Sequence, residues 1–403
     1  MNWIFDLLRL TFSALIVKLY LTVSYVLIQP TNMTNLDISR VLIVGASGRA
    51  AAESARRGGY QVFVGDLFAD SDTRKSASCE ILNDYPHDII RVVKRVNPDA
   101  VCLTGALENY PSVLEQITKY SRLLAPPIHA IKAVRCPQQF GLVLKANGFT
   151  FPRIVENQSP TVGRWLAKPF KSAAGHQIQF IQPRTVCPAN YYLQQFVEGR
   201  SMSAGYLLQK DKTTLLGTSQ LLDLSSQSNF HFQGAVTRKL SPQIEVELVR
   251  LGDLLRDQNL RGLIGVDFIL TAEKQLVILE VNPRYTATME LYEERWQLPL
   301  VDYHIKSFED PNYPLVVHKT QPVCGKQIIY TGRSVKVSKK LLMRLSELVN
   351  AKNFYLSDIP LPGTVIEAEQ PVLTIQGKGK TTDKLKDRLS SLANSILQLL
   401  LYY

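Results

Sequence analysis

Short apolar runs alternate with helical stretches over the first third of the chain. Arg40–Val44 (RVLIV) has strand length, and the small-residue turn Gly45-Ala-Ser-Gly-Arg49 follows it. Ala50–Arg57 reads as a helix closed by Gly58-Gly59, and Tyr60–Val64 as a second strand closed by Asp66. A further unit runs from a helix over 86–96 into a strand Ala100–Leu103, then Thr104-Gly105. Strand–loop–helix–strand units of this kind build a doubly wound, Rossmann-like sheet. Residues 36–125 are therefore predicted to be one α/β domain.

Ala125-Pro126-Pro127 marks a boundary. The pattern beyond it changes to strands between Trp165 and Leu222, a helix over 243–258 and a hairpin over Leu263–Asn282. This stretch, 126–315, is predicted as the second domain. A small α+β section, 316–403, follows, with strands at Gln327–Tyr330 and Val372–Ile375 and a helix from Thr382. Residues 1–32 stand apart as an apolar extension. Leu10–Ile28 is mostly apolar but carries Lys18 at its middle, and a central lysine costs about 2.5–3.5 kcal/mol on membrane insertion. A weak anchor, a packed amphipathic extension and an over-long start with the true one at Met33 all fit. A membrane partner is expected only if residues 1–28 are retained as an anchor.

The hairpin carries the chemistry. Gly265-Val-Asp267-Phe-Ile-Leu and Val277-Ile-Leu-Glu280-Val-Asn282-Pro-Arg284 are apolar strands broken by a few polar residues. A four-residue turn over Ala272–Gln275, with Thr271 paired to Leu276, sets Asp267 directly opposite Glu280. Glu280 and Asn282 are two apart and share a face. Like charges across a ladder destabilise it unless something compensates. A hard divalent cation does so, and magnesium is usually held by one or two carboxylates together with substrate phosphates. Arg284, two beyond Asn282, can grip a carboxylate or a developing oxyanion.

Charge and composition narrow the partner classes. The chain of 403 residues carries a net charge of +11, which suits an anionic partner. The basic residues are scattered, so a nucleotide or phosphorylated metabolite accounts for the balance and nucleic acid is not expected. Five cysteines with no CxxC pair argue against a disulfide framework or a cysteine zinc site and fit a reducing cytoplasm.

The hairpin resembles the catalytic core of the ATP-grasp superfamily, in which an acidic residue precedes Glu-x-Asn by about thirteen positions, often with x-Arg after it. Asp267, Glu280, Asn282 and Arg284 match that pattern. The longer string VNPRYTATMELYE is similar to the ATP-dependent carboligases related to biotin carboxylase. The resemblance covers roughly 36–315. It implies an ATP-grasp fold over 126–315, a carboxylase-like C-terminal section, and ATP with Mg2+ or Mn2+ as cofactors. Asp267, Glu280 and Asn282 are then the metal ligands and Arg284 a catalytic residue.

The same resemblance assigns a nucleotide site. Lys168 matches the lysine that reaches the α- and β-phosphates, and Lys171, Ser172 and Gly175 lie in the phosphate loop that follows. That loop is usually glycine-rich, whereas here 171–176 holds one glycine. Gln194, Phe196 and Val197 match the hinge that binds adenine, and Glu198 and Ser201 are both candidates for the ribose. Ser47 or Arg49 is a candidate acceptor contact, as is Glu108, and His231 a candidate acid or base.

The implied activity is an ATP-dependent carboxylate–amine ligase that forms an acyl phosphate and releases ADP and phosphate. The alternatives are a bicarbonate-using carboxylase and a non-catalytic nucleotide-binding regulator. Small-molecule acids and amines are the expected substrates, and dimers are common in that family.

Overall fold

A computed structural model describes residues 38–156, 162–222, 230–310, 313–315 and 322–403. The readings of 1–32 lie outside these. Among the described residues no helix is long and apolar enough to cross a membrane.

The first sheet is five-stranded and parallel, in the order Ser78–Ile81, Gln61–Asp66, Arg40–Val44, Ala100–Leu103, Arg122–Leu124. Its central strand is apolar from Val41 to Val44 because both faces are covered there. Val41 and Ile43 enter one core with Ala51, Ala52 and Ala55 of the helix Arg49–Arg57. Leu42 and Val44 enter another with Ile89, Val92, Leu114 and Ile117. The helix Ser71–Ser76 and the short edge strands Ser78–Ile81 and Arg122–Leu124 complete the unit.

A four-stranded antiparallel sheet follows, in the order Ile154–Val155, Tyr191–Gln195, Trp165–Pro169, Gln179–Ile181. Next to it in sequence is an eight-stranded antiparallel sheet. Its order is Leu276–Asn282, Gly262–Leu270, Arg200–Leu208, Thr213–Leu221, Gly234–Thr237, Val323–Tyr330, Pro371–Gly379, Phe354–Ser357. The C-terminal strands are thus continuous with this sheet, since Val323–Tyr330 pairs with Gly234–Thr237. The helices Lys339–Asn350 and Thr382–Leu400 cover that end through Leu341, Leu345, Leu385, Leu389 and Ile396.

The helix Pro242–Asp257 covers the other end with Ile244, Leu248, Leu251 and Leu255, a stripe at helical spacing. Gly205 and Gly217 face each other across two strands. A Cβ on either would lie 2.5 or 2.8 Å from the ring of Tyr292. The two glycines are a slot that admits this fully buried ring from the helix Met289–Trp296. Tyr292 belongs to the same core as Val41 and Ile43, so the parallel sheet and the large sheet share one interior.

Candidate active site

The hairpin pairs Gly262–Leu270 with Leu276–Asn282. Its turn differs from the expectation: Leu270, not Thr271, pairs with Leu276, and Thr271–Gln275 forms a longer turn closed by Thr271 N donating to Gln275 O at 3.1 Å. A bulge then shifts the register between Asp267 and Phe268 and leaves Leu279 unpaired. The two offsets cancel, so Asp267 does lie opposite Glu280, and Gly265 opposite Asn282.

Asn282 Nδ2 donates to Asp267 Oδ2 at 3.0 Å. Burial, and after it the neighbouring Glu280 charge, pushes the Asp267 carboxyl up to about 7. Burial also opposes ionisation of Glu280, but Arg135 and Lys168 outweigh it and hold that carboxyl below its usual value. One carboxylate therefore holds a proton that a divalent cation would replace. Two carboxylates and an amide oxygen are a partial set of hard oxygen ligands, which suits magnesium completed by phosphate. Among the described residues no group of three or more His, Cys, Asp and Glu side chains forms a closed cage.

Lys168 is buried on the strand Trp165–Pro169 and donates to Gln194 Oε1 at 3.2 Å. Tyr192 and Glu280 keep its ammonium above the ordinary value despite burial. The Nε2 of Gln194 is buried without a hydrogen-bond partner, an orphan donor in the place assigned to the nucleotide. One cavity is lined jointly by Lys168, Ser172, Gly175, Tyr192, Arg135 and Glu280. The loop after Lys168, expected to bind phosphate, departs from glycine-rich form by placing Ala174 at φ +52 and Gln177 at φ +60 beside Gly175 at +76.

The remaining expected residues are spread more widely. Lys171 Nζ lies 5.5 Å from the Tyr110 ring. Phe196 packs against Phe180 with tilted rings at 5.1 Å, capped by the Arg164 guanidinium at 4.2 Å. Val197 is half-buried beside it. Glu198 is 82% exposed and pairs with Arg164. Ser201 lies two residues from Ser203, whose register partner is Asp267, so it shares that face. His231 stacks on His176 at 5.5 Å, and burial together with the His176 charge lowers its pKa.

Arg49 is not available to an acceptor. It is 3% exposed and taken up by Glu290 at 2.6 Å, Asp358 at 2.7 Å and Glu53 at 3.0 Å. Glu108 is 1% exposed, and both its oxygens accept from Arg284 Nε at 2.9 Å. Two functional neighbours escaped the sequence reading. Arg135 Nη1 donates to Glu280 Oε2 at 3.2 Å, and Asn109 Oδ1 accepts from Arg135. Neither stands in a motif; only the position of Asn109 at the carboxyl end of a parallel strand, where ligands bind in such sheets, pointed toward it.

Residues 139–288 match the ATP-grasp domain family. The chain carries an ATP-grasp domain. By sequence alone it matches no curated protein. Its fold is shared with carboxyaminoimidazole ribonucleotide synthase from Aspergillus clavatus, solved with ATP, at 15% identity and TM-score 0.68, over 90% of this chain and 99% of that one. An L-amino acid ligase from Bacillus licheniformis matches at 14% and 0.65, over 88% and 97%. The biotin carboxylase domain of Hydrogenobacter thermophilus 2-oxoglutarate carboxylase, solved with MgADP and bicarbonate, matches at 11% and 0.66, over 88% and 89%. The chain thus spans nearly the full length of these structures, and its sheets on either side of the matched domain belong to the shared fold.

Proposed function

We propose that this chain is an ATP-dependent ligase that activates a small-molecule carboxylate as an acyl phosphate for attack by an amine, working in the cytoplasm. The observation that carries it is a cavity lined by Lys168 and Glu280, with Asp267 opposite Glu280 on the hairpin and bonded to Asn282, and with an orphan Gln194 donor bonded to Lys168. Asp267, Glu280 and Asn282 would hold magnesium or manganese, which when bound supplies positive charge against the nucleotide phosphates. Lys168 and the 171–176 loop orient those phosphates, Lys168 as a point charge and the loop through backbone N–H groups. Gln194, Phe196 and Val197 are assigned to adenine, and Ser201 rather than the outward Glu198 to the ribose.

A substrate carboxylate oxygen attacks the γ-phosphorus, the bond to ADP breaks, and an acyl phosphate forms. The amine nitrogen then attacks the acyl carbon. Phosphate leaves with the C–O bond pair, and the ammonium proton passes to solvent. Arg284 has Nε fixed by Glu108 and Nη1 directed to Tyr285 O at 3.3 Å. Its Nη2 has no hydrogen-bond partner among the described residues, so it can serve the incoming carboxylate and the developing oxyanion. Most of the rate gain is positioning and electrostatics.

A carboxylase reading is favoured by the full-length likeness to a bicarbonate-bound carboxylase domain. ADP release by the full chain with magnesium–ATP separates the readings. Pools of carboxylates and amines are supplied, with and without bicarbonate, beside a Glu280→Ala control. Release driven by an acid–amine pool and lost in the control supports the ligase. A strict bicarbonate requirement replaces it with the carboxylase, and nucleotide binding without turnover replaces both with a regulator.

A further inference from the structure

Between Leu103 and Pro111 the chain makes one short turn, Leu107–Asn109, entered through Ala106 at φ +71. Both polar residues of this turn are buried, Glu108 at 1% and Asn109 at 7% exposure. Each is committed across the domain boundary. Glu108 holds Arg284. Asn109 Oδ1 accepts from Arg135 Nε at 3.2 Å and Nη2 at 2.9 Å. Its Nδ2 donates to the backbone carbonyl of Ser172, in the phosphate loop, at 2.9 Å. The same Arg135 reaches Glu280 Oε2 at 3.2 Å and Val281 O at 3.3 Å.

We propose that Asn109 is a positioning residue for the nucleotide: it pins the phosphate loop and, through Arg135, the Glu280 carboxylate into one frame before nucleotide arrives. This rests on the ATP reading above. The amide orientation is forced, because a guanidinium only donates and a carbonyl only accepts. An aspartate of the same shape could serve Arg135 but not the Ser172 carbonyl.

The loop needs such a pin. Ala174 and Gln177 are held in the left-handed region, where a residue with a Cβ loses about 1–2 kcal/mol. Without external ties the backbone would relax away from this shape. The model of a glycine-rich loop that bends freely does not apply here. Two ties hold it: Asn109 at Ser172, and Phe232 N donating to Ala174 O at 2.9 Å. A loop fixed in advance binds phosphate with less ordering cost.

The test compares full-length wild type, Asn109→Asp and Asn109→Ala by two measurements. Amide exchange without nucleotide is followed in peptides over 170–178, with the remote helix Thr382–Leu400 as reference. ADP affinity is measured by calorimetry with magnesium. In Asn109→Asp the 170–178 amides should exchange about fivefold faster while the reference helix is unmoved. ADP should bind about tenfold more weakly, as a rise in KM for ATP with kcat nearly kept, because Arg135 stays anchored. Asn109→Ala loses both arms and should lower kcat as well; it also replaces Asn109→Asp if that variant does not fold. Unchanged loop exchange in a folded variant overturns the proposal. Faster loop exchange in a chain whose wild type binds no ADP keeps the pin and overturns the ATP reading instead.

Discussion

Gly175 offers a direct test of whether the 171–176 loop binds phosphate. At φ +76 a Cβ is disfavoured, and one built there would lie 1.8 Å from the carbonyl oxygen of Phe230 and 2.5 Å from its carbon. That neighbour is backbone and is itself fixed. Phe232 N donates to Ala174 O at 2.9 Å, Tyr330 Oη donates to Phe232 O at 3.1 Å, and Ile328 N donates to Gln233 O at 2.9 Å. Gly175→Ala therefore carries the left-handed penalty of about 1–2 kcal/mol and an overlap that only a backbone shift relieves, together about 2–4 kcal/mol. The loop is partly exposed, so the strain is relieved locally rather than by global unfolding. ADP affinity should fall about thirtyfold, equivalent to about 2 kcal/mol, while the melting temperature drops by only a few degrees. Gly363→Ala is the control: it sits at φ +97 with nothing within 4 Å of its would-be Cβ. It should show the backbone penalty in stability and bind ADP normally. Wild-type ADP affinity in Gly175→Ala would refute the assignment of the loop.

Gly205→Ala should destabilise the fold by about 2–3 kcal/mol, because its methyl would meet the buried Tyr292 ring at 2.5 Å; urea unfolding reads this, and an unchanged midpoint would mean the slot can widen. Asp70 gives a pH dependence. Burial first, then the Asp358 and Asp72 charges, raise its carboxyl from 3.8 to about 7. Its stabilising contribution is complete below about pH 4, where both states are protonated, and is lost as pH rises through about 7. Partial exposure reduces the loss to about 1–2 kcal/mol. Asp70→Asn should thus gain stability over wild type as pH rises from 5 to 7.5 and level off above; a constant difference across that range would contradict the shift.

What could be read from the chain was whatever short-range pattern dictates. The parallel sheet was legible because Val41–Val44 and Ala100–Leu103 are apolar on both faces. The facing of Asp267 and Glu280 was legible because they interrupt strands that are otherwise apolar. The turn was read one residue short, yet the pairing at the site came out the same, since the bulge at Leu279 restores the offset. Long-range partnerships had no such signature. Arg135 and Glu280 are 145 residues apart, Asn109 and Ser172 63 apart, and Glu108 and Arg284 176 apart. Nothing in the local pattern of any of them announces its partner. The glycine-poor loop was the instructive case: its composition departs from the family, and the structure supplies by external hydrogen bonds the constraint that composition does not.

Charge accounting connects these partnerships to the chemistry. Three cations, Lys168, Arg135 and Arg284, interact with three acids, Asp267, Glu280 and Glu108. Arg135 is paired with Glu280 and Arg284 with Glu108. Lys168 is near both hairpin carboxyls, and Asp267 retains its proton up to about pH 7. Each buried charge is thus answered within the protein, as it must be when an uncompensated one costs several kcal/mol. A nucleotide polyphosphate entering alone would place more negative charge beside Glu280. A divalent cation entering alone would face two carboxyls already offset by Arg135 and Lys168. Entering together they nearly cancel, so Arg135 can stay on Asn109 and Glu280 with no buried charge left unanswered. If the site takes the cation and nucleotide as proposed, these internal pairs favour the complex of the two over either component alone.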